Sequence, residues 1–265
     1  MSVTRRNFIG KTAAASTGAL ISTTAHAETS MRNRNAGRNG KLLRIGVLTC
    51  HPTHHHMPNS WGPLINCRAG RRKIAPTRMT GMELTHIWDY DPERVRTYCE
   101  QFGTKPVKNY DDMVDKVDGI IISDMRNSAY FPELSEPYFK AGVPILYNRP
   151  FTSSVGRAKR IIAMSKKHGT PFMTASGWEY CKEVYAMKRK VKEWGPGIKG
   201  VTAHNSSSEI THDVHGVWII LAMIGTGIES ASVSRRTKSV YEHGSDTWTI
   251  LFKSRGDNPP FYATL

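Results

Sequence analysis

Five short apolar runs, separated by helical segments, constrain the fold of residues 42 to 175 more than any other feature. They are "LLRIGVLTC" (42–50), "MELTHIW" (82–88), "GIIIS" (119–123), "VPILYN" (143–148) and "TPFMTAS" (170–176). Each is too short for a buried helix and mostly lacks the alternation of a half-exposed strand. Such runs suit strands covered on both faces. Between them, "DPERVRTYCEQFG" predicts a helix with Asp91 as N-cap, Pro92 in the first turn and Gly103 as terminator. "YDDMVDKV" predicts a short helix and "FPELSEPYFKAG" another. "SSVGRAKRIIAMSKKHG" predicts an amphipathic helix capped by Ser153 or Ser154. Strand–helix alternation of this kind folds as a parallel sheet with helices on both faces and right-handed crossovers. Ligands of such sheets bind beyond the carboxyl ends of the strands, where the strand order reverses.

The second half changes character. "KEVYAMKRKVKEW" reads as an amphipathic helix with Val184, Met187 and Val191 on one face, and "GIKGVTAHNSSSEI" as a strand. "HGVWIILAMIG" is a strongly apolar helix ending at Gly225. "ESASVSRR", "DTWTILFKS" and "PFYATL" have the pattern of an antiparallel sheet with one open face. The expected organisation is a Rossmann-type α/β domain over 42–175, then an α+β domain over 176–265.

Residues 1–27 combine paired Arg5 and Arg6, Phe8, a weakly apolar Ala/Ser/Thr run and Ala25-His26-Ala27. This predicts a twin-arginine signal peptide and export to the periplasm. The run is too short and too polar to span a bilayer, which takes roughly 20 apolar residues. Residues 28–41 are polar and aperiodic, and predict a flexible linker. The twin-arginine route is expected to carry folded proteins, which fits a tightly held cofactor. Net charge is +15, of which Arg5, Arg6 and Lys11 contribute part. One basic cluster, Arg68, Arg71, Arg72, Lys73 and Arg78, is either an anion site or, the favoured reading, a solvated loop. No recognisable element organises basic and aromatic residues as nucleic-acid binding requires. Cys50, Cys67, Cys99 and Cys181 show no paired spacing and read mostly as buried small apolar residues.

The stretch after the first strand, "HPTHHHMPNSWG", occupies the place of a glycine-rich phosphate turn. Thr49, His51 and His54 stand where glycines would fall. Asp89, at the end of the second strand, is placed to bind both ribose hydroxyls and to repel a 2′-phosphate, favouring NAD over NADP. A metal centre is the less favoured use of His51, His54, His55 and His56 together with His212, Asp213 and His215. Adjacent loop histidines rarely all point inward, and no H-E-x-x-H helix is present, so no metal ligand set is assigned.

The segments "RIGVL", "LTHIWDYDPERV", "YDDMVDKVDGIIIS", "YFKAGVPILYNRPF" and "AKRIIAMSKKHGTPFMTAS" follow one another in a familiar order. With "EWGPGIKGVTAHNSS" and "HDVHGVWIILAMIG", they resemble the glucose–fructose oxidoreductase / inositol dehydrogenase (Gfo/Idh/MocA) family over about residues 42–265. The resemblance implies NAD(P)-dependent hydride transfer at a carbinol carbon of a small molecule, usually a sugar or polyol. It aligns Asn148-Arg149-Pro150 with the family's Glu-Lys-Pro, and His215 with its Gly-Val-His histidine. Arg149 can hold an oxygen or carboxylate but cannot act as a general base. His215 titrates near neutrality and can serve as acid or base, oriented by Asp213. Thr49, His51 and His54 would face the pyrophosphate, with Ser123 and Asp124 near the cofactor. Asn148 and Arg149 would hold the nicotinamide end or the substrate. Relative to the family the second domain is expected to be shortened, leaving a sheet edge open to a second copy. The changed lysine and glycines also admit a second reading, a non-catalytic nucleotide- or sugar-binding protein on the same fold.

Overall fold

The computed structural model describes residues 42–49, 61–66, 81–123, 128–195, 200–203, 210–235, 246–253 and 260–264. The leader, the linker, the histidine stretch, the basic cluster, Cys50, Cys67 and Asp124 lie outside them. The chain divides into two compact units, Met1–Met173 and Thr174–Leu265.

The first unit is built on a six-stranded parallel sheet. Its strands are β1 (Leu43–Thr49), β2 (Met82–Asp89), β3 (Lys105–Pro106), β4 (Gly119–Ile122), β5 (Ile145–Tyr147) and β6 (Phe172–Thr174). Their spatial order is β3-β2-β1-β4-β5-β6, so the direction of winding reverses between β1 and β4. Its helices are α1 (Gly62–Ile65), α2 (Pro92–Phe102), α3 (Phe131–Ala141) and α4 (Val155–His168).

Continuous apolar runs give strands buried on both faces because neighbouring residues point opposite ways. In β1, Val47 joins one core with Ile65, Leu84, Ile87, Val95, Phe102 and Ile121. Its neighbour Leu48 joins the other, with Ile120, Ile122, Phe131, Tyr138, Phe139 and Ile161. The helices start and stop on local signals. The Asp91 side chain accepts from the Glu93 and Arg94 amides, and Gly103 closes α2 at φ 70°. Ser154 caps α4 by accepting from the Arg157 amide.

Two expectations in this unit need correction. Tyr110–Lys116 forms turns instead of a helix, with Asp112 accepting from the Asn109 amide at 2.8 Å. That side-chain bond offers the backbone an alternative to helical pairing. β3 was not expected; it is two exposed residues at the sheet edge, too short to carry a periodic signal.

The second unit contains the 3₁₀ turn Gly177–Tyr180, α5 (Lys182–Trp194), β7 (Gly200–Thr202), α6 (Ile210–Ile224), β8 (Ile228–Arg235), β9 (Asp246–Phe252) and β10 (Phe261–Thr264). The four strands lie in the order β7-β10-β9-β8. β7 runs parallel to β10, and the other two pairings are antiparallel. Ile220 of α6 packs on Ile250, Phe252 and Ala263 of the sheet. The α/β sheet followed by a smaller, mostly antiparallel one is the fold class read from the sequence. α6 begins five residues before the apolar run that predicted it, so Asp213 and His215 sit within the helix. The apolar face expected of α5 is not buried, and Met187 is 44% exposed. Cys99 and Cys181 are free thiols and only partly buried, whereas the cysteines were expected to be mostly buried small apolar residues. Among the described residues, no helix is long and apolar enough to cross a membrane.

Candidate active site

The carboxyl ends of β1, β2, β4 and β5 form one row. Thr49 stands opposite Asp89 in the β1–β2 register, and Leu48 opposite Ile122 across β1–β4. The Ser123 amide donates to the Leu48 carbonyl at 2.8 Å, and the Asn148 amide to the Ile122 carbonyl at 2.9 Å. Thr49, Asp89, Ser123 and Asn148 are thereby brought to one edge, astride the point where the winding reverses. His51, His54 and Asp124 lie outside the described residues.

Ser123, Asn148 and Arg149 are all buried. Asn148 Nδ2 donates to the Ser123 carbonyl at 3.1 Å, and Asn148 Oδ1 accepts from the Arg149 amide at 3.0 Å. The Asn148 side chain therefore staples the end of β5 to the end of β4 and fixes where Arg149 begins. The peptide between Arg149 and Pro150 is cis. Burial pushes the Arg149 guanidinium below its usual value. Guanidinium starts so far above neutrality that Arg149 stays a cation, able to hold an anion or a polarised oxygen.

Asp89 lies at the end of β2 as expected, but its side chain is fully buried and engaged. Oδ1 accepts from the Asp91 amide at 2.9 Å. Oδ2 takes Arg94 Nη1 at 3.1 Å, while Arg94 Nη2 reaches Asp91 Oδ2 at 3.0 Å. The Arg94 side chain is itself only 14% exposed. A ribose could reach the Asp89 carboxylate only by sharing its oxygens with these donors. The neighbouring cation also offsets the repulsion of a 2′-phosphate, so the carboxylate alone does not impose the expected preference for NAD. Arg94 was missed from the sequence, although its spacing of three from Asp91 is a helical ion-pair spacing.

The residues flanking this row are aromatic. Tyr90 and Tyr130 are about half exposed with ring centroids 5.9 Å apart, and Trp88 packs edge-on against Tyr90 at 4.5 Å. A cleft of about 680 Å³ opens beside the end of β2, lined in part by Trp88, Asp89, Tyr90, Pro92 and Val107.

In the second unit, His215 projects from α6 and its Nδ1 lies 2.5 Å from Ser176 Oγ. Ser176, just past β6, is fully buried and also accepts from the Trp178 amide at 3.2 Å. The edge of Trp178 faces the imidazole at 6.5 Å between ring centroids. Asp213 lies two residues earlier in α6. Ser176 carried no sequence signal; a serine after a strand is unremarkable by itself. No group of three metal-type ligands occurs among the described residues, a set that leaves out the histidine stretch.

A strand order that reverses between β1 and β4, with polar residues gathered at that point, suits a dinucleotide. Residues 65–176 match the family profile described as an oxidoreductase family with an NAD-binding Rossmann fold. No curated protein sequence matches the chain. Several solved structures share its fold. One is a dehydrogenase, MviM, from Clostridium difficile, with 13% identity, TM-score 0.56, and coverage of 86% of this chain and 70% of that one. GenD2 of gentamicin A biosynthesis, solved with NAD, has 14% identity, TM-score 0.61, and coverage of 84% and 66%. UDP-N-acetylglucosamine 3-dehydrogenase GnnA from Acidithiobacillus ferrooxidans has 14% identity, TM-score 0.57, and coverage of 84% and 69%. At such identities these likenesses speak to fold alone. Over residues 65–176, less than half of the chain, the likeness is to this oxidoreductase family's NAD-binding Rossmann fold, and the order in which the sheet is wound agrees with it.

Proposed function

We propose that the protein is an NAD(P)-dependent oxidoreductase that transfers hydride at a carbinol or carbonyl carbon of a small sugar- or polyol-like molecule. The observation that carries this reading is the row Thr49–Asp89–Ser123–Asn148 at the reversal of the sheet. The nicotinamide, when bound, supplies the hydride chemistry. The chain's own residues bind, orient and move a proton. Ser123 and Asn148 line the middle of the cofactor site, and Asp89 with Arg94 marks its ribose end. The cleft beside Tyr90 is of a size that admits a nucleoside. Arg149 holds a substrate oxygen or carboxylate, and His215 is the group that exchanges a proton with the reacting oxygen. The leader supports export by the twin-arginine route with cofactor already in place.

A second reading, dinucleotide or sugar binding without turnover, is favoured by the arginine at 149, which cannot stand in for a proton-transferring lysine. Titration with NADH and with NADPH, followed by a panel of aldoses, ketoses and polyols monitored at the nicotinamide absorbance band, separates the two. Oxidoreductase action predicts cofactor binding and an absorbance change with at least one panel member. Tight binding without any absorbance change supports the second reading, and no binding of either nucleotide removes both.

A further inference from the structure

The contact between Ser176 and His215 decides more than the orientation of a ring. A serine hydroxyl has one proton to donate and two lone pairs to accept with. At Ser176, one lone pair is taken by the Trp178 amide at 3.2 Å. The side chain is fully buried, so its hydroxyl proton needs a protein acceptor. The acceptor within reach is His215 Nδ1, at 2.5 Å. If Nδ1 donated to Ser176 instead, the buried hydroxyl proton would lose that acceptor, a costly arrangement.

We propose that Ser176 is a positioning residue that fixes neutral His215 in the tautomer with its proton on Nε2. Nδ1 then accepts from Ser176, and Nε2 presents a donor. This inference rests on the proton-exchange role proposed above for His215 and says which ring nitrogen faces the substrate. Neutral His215 holds a substrate oxygen through Nε2–H, as a carbonyl oxygen requires. It cannot take a hydroxyl proton at Nε2 until the pairing with Ser176 inverts. The T-shaped packing of Trp178 on the imidazole limits rotation of the ring away from this pairing.

The test uses the full chain labelled with ¹⁵N-histidine and long-range proton–nitrogen spectra at a pH where histidine is neutral. The His215 signals are assigned by their loss in His215→Asn. The expected wild-type pattern is a bare Nδ1 and a protonated Nε2, favoured by about tenfold or more over the other tautomer. Ser176→Ala is expected to move His215 towards a mixture, and Ser176→Thr to restore the wild-type pattern. A wild-type His215 with its proton on Nδ1, or with mixed tautomers, overturns the inference even if Ser176→Ala does not fold. An unchanged pattern in folded Ser176→Ala overturns it as well. The expected pattern in a protein that binds neither NADH nor NADPH would leave the tautomer assignment standing and strike the oxidoreductase reading alone.

Discussion

Asp89 carries its charge with no solvent contact, and Arg94 makes that tolerable. Two charges taken out of water lose hydration that only close mutual pairing and further hydrogen bonds restore. The pair has both: the guanidinium bridges Asp89 and Asp91, and the Asp91 amide serves the remaining Asp89 oxygen. Arg94→Met should therefore destabilise the protein by about 3 kcal/mol, because it removes the guanidinium paired with a buried carboxylate. Asp89→Asn added to Arg94→Met should recover most of that loss, since no buried charge then remains and Asp91, whose side chain is 45% exposed, keeps its hydration. Urea unfolding of the three variants measures both; an Arg94→Met midpoint equal to wild type would refute the pairing. Asp89 was legible in the sequence because the end of a second strand is a fixed place in this fold. Its saturation by Arg94 was not, because the contact joins a strand end to a helix five residues later. The same holds for Ser176 and His215, which are 39 residues apart and meet only through tertiary structure.

Elements bounded by their own chemistry were read correctly. α2 begins at Asp91-Pro92 and ends before Gly103, as those three residues dictate. Elements without such punctuation were misread. β3 is a two-residue edge, and the start of α6 runs through "ITHDV", which has no apolar periodicity. α1 was not foreseen either. It is a single helical turn that holds Ile65 against the sheet. Its first residue, Gly62, is there for space: a Cβ would stand 2.3–2.7 Å from the ring of buried Phe102. Gly62→Ala should cost about 1–3 kcal/mol by forcing that ring or the turn aside. Gly119, inside β4, offers the control, since a Cβ there meets its nearest neighbours at 3.6 Å. Gly119→Ala should leave the urea midpoint near wild type; equal losses at the two positions would contradict this account of α1.

At the scale of the whole molecule, the alternation of short apolar runs and capped helices dictated a parallel sheet, and the order β3-β2-β1-β4-β5-β6 follows from reversing the crossovers once. The site was legible only where it coincides with that topology. Strand ends could be placed from the sequence; the buried networks at Asp89, Asn148 and His215 could not, because each depends on partners from another element. The central claim is that the row of residues at the reversal holds a dinucleotide. Its most direct test is to purify the mature protein without added nucleotide, denature it, and separate what it releases. The account predicts NAD(H) or NADP(H) in an amount approaching that of the protein, with loss of the nucleotide in Asp89→Ala. A folded protein that releases neither, and takes up neither when they are supplied, would contradict it.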